Sequence, residues 1–128
     1  MSLLLLLGSP AGAGTGCTAI TSTGTSGVSV VVGREYCAVA DFKAATTGRN
    51  CLVGVRWYNG AGALLSSTAG AVITDSTSGW TQATCFAVAP ASAAYAAVYV
   101  EIIGAAAAEV HYADRIGIME PDLWALPA

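Results

Sequence analysis

The chain has 128 residues, 55% of them hydrophobic and 10% charged, with a formal net charge of −3. That is long enough for one domain with a real core, and its balance of apolar to charged residues is the reverse of a disordered chain's. The slight acidic excess offers no basic surface to phosphates, so nucleic acid is not an expected partner.

Leu3 to Leu7 is a run of five leucines. It lacks the basic segment of a secretory leader and falls short of the ~7–15 apolar residues that such a leader uses. It is far below the ~20 that span a bilayer, so no membrane association is expected. The segment Ser2 to Leu7 reads as an N-terminal strand. Ser9 to Gly16 is rich in Gly, Pro and Ala and reads as a loop. Gly16 to Ser22 is a short strand, and Val28 to Val32 is extended. Arg34 to Lys43 alternates clearly: Tyr36, Ala38, Ala40 and Phe42 share one side, and Cys37, Val39, Asp41 and Lys43 the other. In Asn50 to Tyr58 the core side is Cys51, Val53, Val55 and Trp57, opposite Leu52, Gly54, Arg56 and Tyr58. Asn59-Gly60 is a hairpin dipeptide, here lengthened by Ala61-Gly62. Ala63 to Ser67 and Ala71 to Thr74 follow as short strands. Trp80 to Val88 is a longer one, closed by Pro90. Trp57 and Trp80 are both expected in the core.

Ala93 to Ile118 holds two alternating runs joined by the small residues Gly104 to Ala108. In the first, Ala96, Val98, Val100 and Ile102 oppose Ala97, Tyr99, Glu101 and Ile103. In the second, Val110, Tyr112, Asp114, Ile116 and Ile118 oppose Glu109, His111, Ala113 and Arg115. This pair is read as a hairpin at the heart of a sheet. The tail, 120–128, carries Pro121, Trp124 and Pro127 and reads as an extended arm beyond a domain of residues 1–119. With no helical period of useful length, the expected fold is all-β: a jelly-roll β-sandwich of about eight antiparallel strands.

Cys17, Cys37, Cys51 and Cys85 lack CxxC spacing, and with a single histidine they do not make a zinc site. Each lies in a predicted strand, where buried thiols are expected; three disulfide pairings stay open on paper. His111, beside Glu109 and Arg115, has no nucleophile near it in sequence and is read as a non-catalytic surface pair. Asp41 and Glu101 are the one acid couple for glycoside cleavage, which needs carboxylates ~5–10 Å apart. No enzyme activity is expected. A sugar-binding face needs aromatic rings for C–H surfaces and planar polar groups for hydroxyls. Asp41, Arg56, Tyr58, Tyr99 and Glu101 are the candidates. The plainer alternative is a solvated face with an Arg–Glu cross-strand pair contributing about 0.2–1 kcal/mol. Trp124, in the arm, is expected to dock on its own domain or on a neighbouring subunit.

The succession Val30-Val31-Val32-Gly33-Arg34-Glu35-Tyr36, then AVADFKAATTGRNCLVGVRWYNGAGALLSS, GWTQATCFAVAPASAAYAAVYVEI and EVHYADRIGI, resembles the carbohydrate-binding-module-like jelly rolls of the galactose-binding-domain-like fold. It is most similar to the version in minor tail proteins of phages infecting actinobacteria, over about Leu3 to Ile118. The resemblance implies a non-catalytic virion-associated module, assembled in the host cytoplasm. Such a module binds host-surface glycan or a neighbouring virion protein, as a homo-oligomer or in another multivalent array that raises avidity. Many members of that family hold a structural calcium, and Asp114 in HYADRIGI stands at the matching place but without the loop partners, so no cofactor is expected and the plainer reading of Asp114 is a carboxylate held by backbone N–H groups or by Arg115 at the sheet edge. Two further readings accompany it: a purely structural capsid or tail decoration protein, and a secreted bacterial carbohydrate-binding module.

Overall fold

Strong alternation with small residues on one side builds strands that pack closely face to face. The computed structural model describes residues 4–7, 17–105 and 109–120, of which 4–7 and 17 are described as backbone. In chain order the described strands are β1 (Leu4–Leu7), β2 (Cys17–Ile20), β3 (Val28–Ser29), β4 (Glu35–Ala44), β5 (Asn50–Tyr58), β6 (Leu64–Ala69), β7 (Ile73–Thr74), β8 (Thr81–Val88), β9 (Tyr95–Ile103) and β10 (Val110–Met119). They form two sheets. The front sheet has the order β1-β10-β4-β8; the back sheet has the order β2-β9-β5-β6, with β3 added on β9 and β7 on β5. Every pairing is antiparallel. The chain changes sheet between β1 and β2, β3 and β4, β4 and β5, β7 and β8, β8 and β9, and β9 and β10, so the fold is an all-β jelly-roll sandwich. Among the described residues no helix is long and apolar enough to cross a membrane.

The inner faces are those that the alternation marked. Tyr36, Ala38, Ala40 and Phe42 of β4 meet Cys51, Val53, Val55 and Trp57 of β5 and Val98, Val100 and Ile102 of β9. Trp57 is fully buried, lies edge-on to Tyr36 at 6.3 Å between ring centroids, and donates its indole N–H to Thr68 Oγ1 at 3.0 Å. Alanines at 38, 40, 83, 87 and 96 let the sheets approach. Where β6 ends, Gly70 seals the corner against β8. A Cβ there would sit 2.7 Å from the Val53 carbonyl oxygen and closer still to that of Thr84.

Four expectations are corrected by this architecture. Ala93 to Ile118 is not a hairpin, because β9 belongs to the back sheet and β10 to the front one. Alternation says that a strand has a face to bury, and the two strands bury theirs across the sandwich rather than side by side. Second, β10 does not keep one side throughout. Its register with β4 shifts between Asp114 and Gly117, and Arg115 has φ 50°. Before this bulge His111 and Ala113 are buried; after it Ile116 and Ile118 pack against the core. Tyr112 and Asp114 therefore face outward, opposite to the isoleucines. Third, Trp80 is 46% exposed rather than core. The buried side of β8 is Ala83, Cys85 and Ala87, and Trp80 has the other parity. Fourth, the positive φ of the β5–β6 turn falls on Gly62 and not on Asn59-Gly60. Asn59 instead uses its Oδ1 to accept the N–H groups of Ala61 and Ala63, both at 3.0 Å.

Cys37 and Cys85 are buried thiols, and the Cys51 thiol donates to the Arg49 carbonyl at 3.3 Å. The side chain of Cys17 lies outside the described residues, as does the arm with Trp124.

Candidate functional site

Of the five residues singled out for a ligand face, four share the outer surface of the back sheet and one does not. Arg56 and Tyr58 come from β5, Tyr99 and Glu101 from β9, and the register sets Gly54 opposite Tyr99 and Leu52 opposite Glu101. Asp41 sits on β4, on the outer surface of the opposite sheet. Asp41 and Glu101 therefore cannot converge on one glycosidic bond.

The back-sheet group is closed on itself. The ring of Tyr99 lies across Gly54, where a Cβ would fall 2.5 Å from its Cε1. The Arg56 guanidinium stands over the same ring, 5.3 Å from its centroid, in a cation–π contact. Tyr99 is 8% exposed and Tyr58 7%, so neither offers a free face for a sugar ring.

The front sheet is different. Its inner strand β4, between β10 and β8, presents Cys37, Val39 and Asp41 outward, yet these are buried. Toward one end, β10 sets Tyr112 beside Lys43, and Asp114 and Gln82 flank Asp41. By the alternation of β8, Trp80 falls on the side of Gln82. The bulge turns Arg115 back over this patch. Its Nε lies 3.3 Å from Asp41 Oδ2, and its backbone N–H donates to Asp114 Oδ1 at 2.8 Å. Tyr112 thus borders a floor of acids, an amide and cations, and Trp80, one residue before β8, has the parity of the same face. Sequence reasoning found Asp41 and Asp114 here but missed Trp80, Gln82, Lys43 and Tyr112. The parity of β8 carried the signal for Trp80.

These residues do not suit calcium. Asp41 and Asp114 face each other, but among the described residues no group of three potential ligands gathers. The Arg115 guanidinium already stands where a cation would neutralise Asp41.

At the same edge of the sandwich, His111 is fully buried rather than on the surface. Its Nδ1 is 2.5 Å from Asp75 Oδ2 and its Nε2 is 2.7 Å from Glu109 Oε1. Arg49 grips Glu109 with two bonds of 2.8 Å, and its backbone N–H donates to Asp75 Oδ1 at 2.7 Å. His111 thus bridges the two acids through its ring nitrogens, and Arg49 holds Glu109 from the other side. Arg115, expected beside it, belongs to the outer patch. Among the described residues no buried side-chain nitrogen or oxygen lacks a partner, so this cluster is built as a structural tie.

Burial pushes the Cys37 thiol up, helped by Glu35, and pushes the Cys85 thiol up in the same way. Burial, aided by Glu101, also raises the Tyr99 phenol. A group whose pKa is higher folded than unfolded adds stability that is whole at low pH. That stability fades once the unfolded chain begins to release the proton. The urea midpoint should therefore hold steady to about pH 8 and fall through about pH 9–11, the range of unfolded thiols and phenols. A midpoint that rises over that window would contradict the burial of these groups.

No family model matches the chain, and no curated protein does. Solved structures do. A family 4 carbohydrate-binding module is similar at a TM-score of 0.59 and 14% identity, over 92% of this chain and 70% of that one. A family 22 xylan-binding domain from Paenibacillus barcinonensis is similar at 0.58 and 13%, over 85% and 68%. An arabinose-bound α-L-arabinofuranosidase is similar at 0.60 and 22%, over 89% of this chain but 18% of that one. The chain spans most of each binding module and less than a fifth of the enzyme. Its fold is the jelly-roll sandwich that these carbohydrate-binding modules share.

Proposed function

We propose that this chain is a non-catalytic glycan-binding module whose site is the outer face of the front sheet, around Trp80. The observation that carries the reading is an exposed tryptophan at the head of β8, on the face, by the alternation of that strand, that carries the Asp41–Arg115–Asp114 cluster. A large apolar ring left in water next to fixed donors and acceptors suits a pyranose, which has C–H faces and hydroxyl edges. Asp41 stays in the proposed site; Arg56, Tyr58, Tyr99 and Glu101, packed together on the other sheet, become a structural group. The acids of the patch hold Arg115, which leaves them suited to orienting hydroxyls rather than to proton transfer.

Two observations bear on the setting. The sequence resemblance to actinobacterial phage tail proteins supports a virion module that grips host-surface glycan through many copies. The likeness of fold to carbohydrate-binding modules supports a binding unit of a carbohydrate-active protein. A different reading, a capsid or tail decoration protein without sugar affinity, is favoured by the exposed Val31, Val32, Phe86 and Val88.

A glycan array, with soluble xylan as a separate probe, tests the proposal. Binding by the wild type should weaken at least about tenfold in Trp80→Ala, a loss of about 1.4 kcal/mol, and stay unchanged in Arg56→Ala. Loss in Arg56→Ala with Trp80→Ala unaffected would return the site to the back sheet. A wild type that ignores every glycan would favour the decoration reading.

A further inference from the structure

Besides Ser92, Arg115 is the only non-glycine residue with a positive φ among the described residues. Left-handed backbone is strained for a residue that carries a Cβ, and the register of β10 shows what the strain achieves. Asp114 stands opposite Asp41 and Gly117 opposite Val39, so Arg115 and Ile116 together face the single Ala40. Strict alternation from the buried His111 and Ala113 would send Arg115 into the core. The bulge turns it outward instead, and its side chain is 79% exposed. Asp114 fixes the turn by accepting the Arg115 N–H.

The charges of this pair are unequal in what they show to solvent. The Asp41 side chain is only 12% exposed and lies against Arg115 Nε. No described residue accepts a hydrogen bond from the two Nη groups of Arg115. Lys43, two residues along β4 on the outer side that Asp41 shares, is about 7 Å further on and has no ion-pair partner among the described residues. Tyr112 stands opposite it on β10. The anion of the pair is thus covered, and the cations are open. Sugar hydroxyls require neither a fixed guanidinium fork nor a second cation. A carboxylate suits both: its two oxygens match the parallel N–H groups of the fork, and an ammonium can close on the same group from the side. Resting on the reading that this face binds glycan, we infer that its ligand is an acidic one, a polymer of uronic acids, with a carboxylate held by Arg115 and Lys43.

The test is an array of polygalacturonate, alginate and hyaluronan, each beside its carboxyl-reduced form, with neutral glycans and dextran sulfate alongside, probed with the full chain. At least one acidic polymer should bind about tenfold or more tightly than its reduced form, as a charged hydrogen-bonded pair implies. Arg115→Gly should abolish that preference, so that acidic and reduced forms bind alike. Its urea midpoint should be no lower than that of the wild type, because glycine takes this backbone conformation without strain. Lys43→Gln, a change at the surface, should lower the preference in part and serves as the second variant. Loss of the preference only together with a lowered urea midpoint, in both variants, would make these cations structural partners and overturn the inference. Dextran sulfate bound as tightly as the best uronate would overturn it too, as unselective attraction to negative charge. A wild type that binds neutral glycans through Trp80 and prefers no acidic one keeps the glycan reading and overturns this inference; one that binds no glycan removes both.

Discussion

Replacing His111 with alanine should cost about 3–5 kcal/mol of unfolding free energy, the range for leaving a buried charge without its partner. The side chain has no contact with water, and both of its nitrogens lie against carboxylates. Without the ring, Asp75 and Glu109 keep their burial and lose the group between them. Arg49 still compensates Glu109 through its two bonds, but it reaches Asp75 only by its backbone N–H. The loss is large against a typical total of about 5–15 kcal/mol. Urea unfolding followed by circular dichroism measures it. His111→Gln, which restores one donor, should recover part of the loss. A change below about 1 kcal/mol in His111→Ala would mean that the acids find water or each other without penalty.

Trp57→Ala should cost a similar amount, about 3–5 kcal/mol, the range for emptying a large aromatic site in a core. Trp57 touches both layers: it meets the Tyr36 ring of the front sheet edge-on and bonds Thr68 of β6 in its own sheet. The alanines around it are too small to collapse into the space. Trp57→Phe separates the two contributions. It keeps most of the packing but leaves Thr68 Oγ1 without its donor, for a loss of about 1–3 kcal/mol. Equal losses in the two variants would show that the indole N–H, rather than the volume, holds the sheets in place.

How much of this could be read beforehand depends on how local the information is. Parity along a strand is local, so the inner faces of β4, β5 and β9 were legible from Tyr36, Val53 and Val98 and their neighbours. The side of Trp80 was legible too, since Ala83, Cys85 and Ala87 fix the parity of β8; a core place for the indole follows only if the apolar alternation around it is taken without that parity. Sheet membership is not local. Nothing in the residues of β9 and β10 says that they face each other across the core instead of pairing, and this is why Asp41 was grouped with residues of the opposite sheet. The bulge at Arg115 left no signature either. A non-glycine residue in left-handed backbone is read only once Asp41 and Asp114 are seen to hold it. The His111 cluster was hidden by distance, as Asp75 lies 36 residues before it.

The place of β10 has a consequence for how the molecule comes into being. This strand lies between β1 and β4, so the first described strand pairs with the last described one. A ribosome releasing the chain at about 5–20 residues per second leaves Leu4–Leu7 without its pairing strand for several seconds. Until Val110–Met119 emerges, the leucine segment and the flank of β4 are open templates for other nascent chains. Assembly is therefore non-local and slow for its size, and a brief encounter with a holding chaperone would suit the interval before β10 slots in.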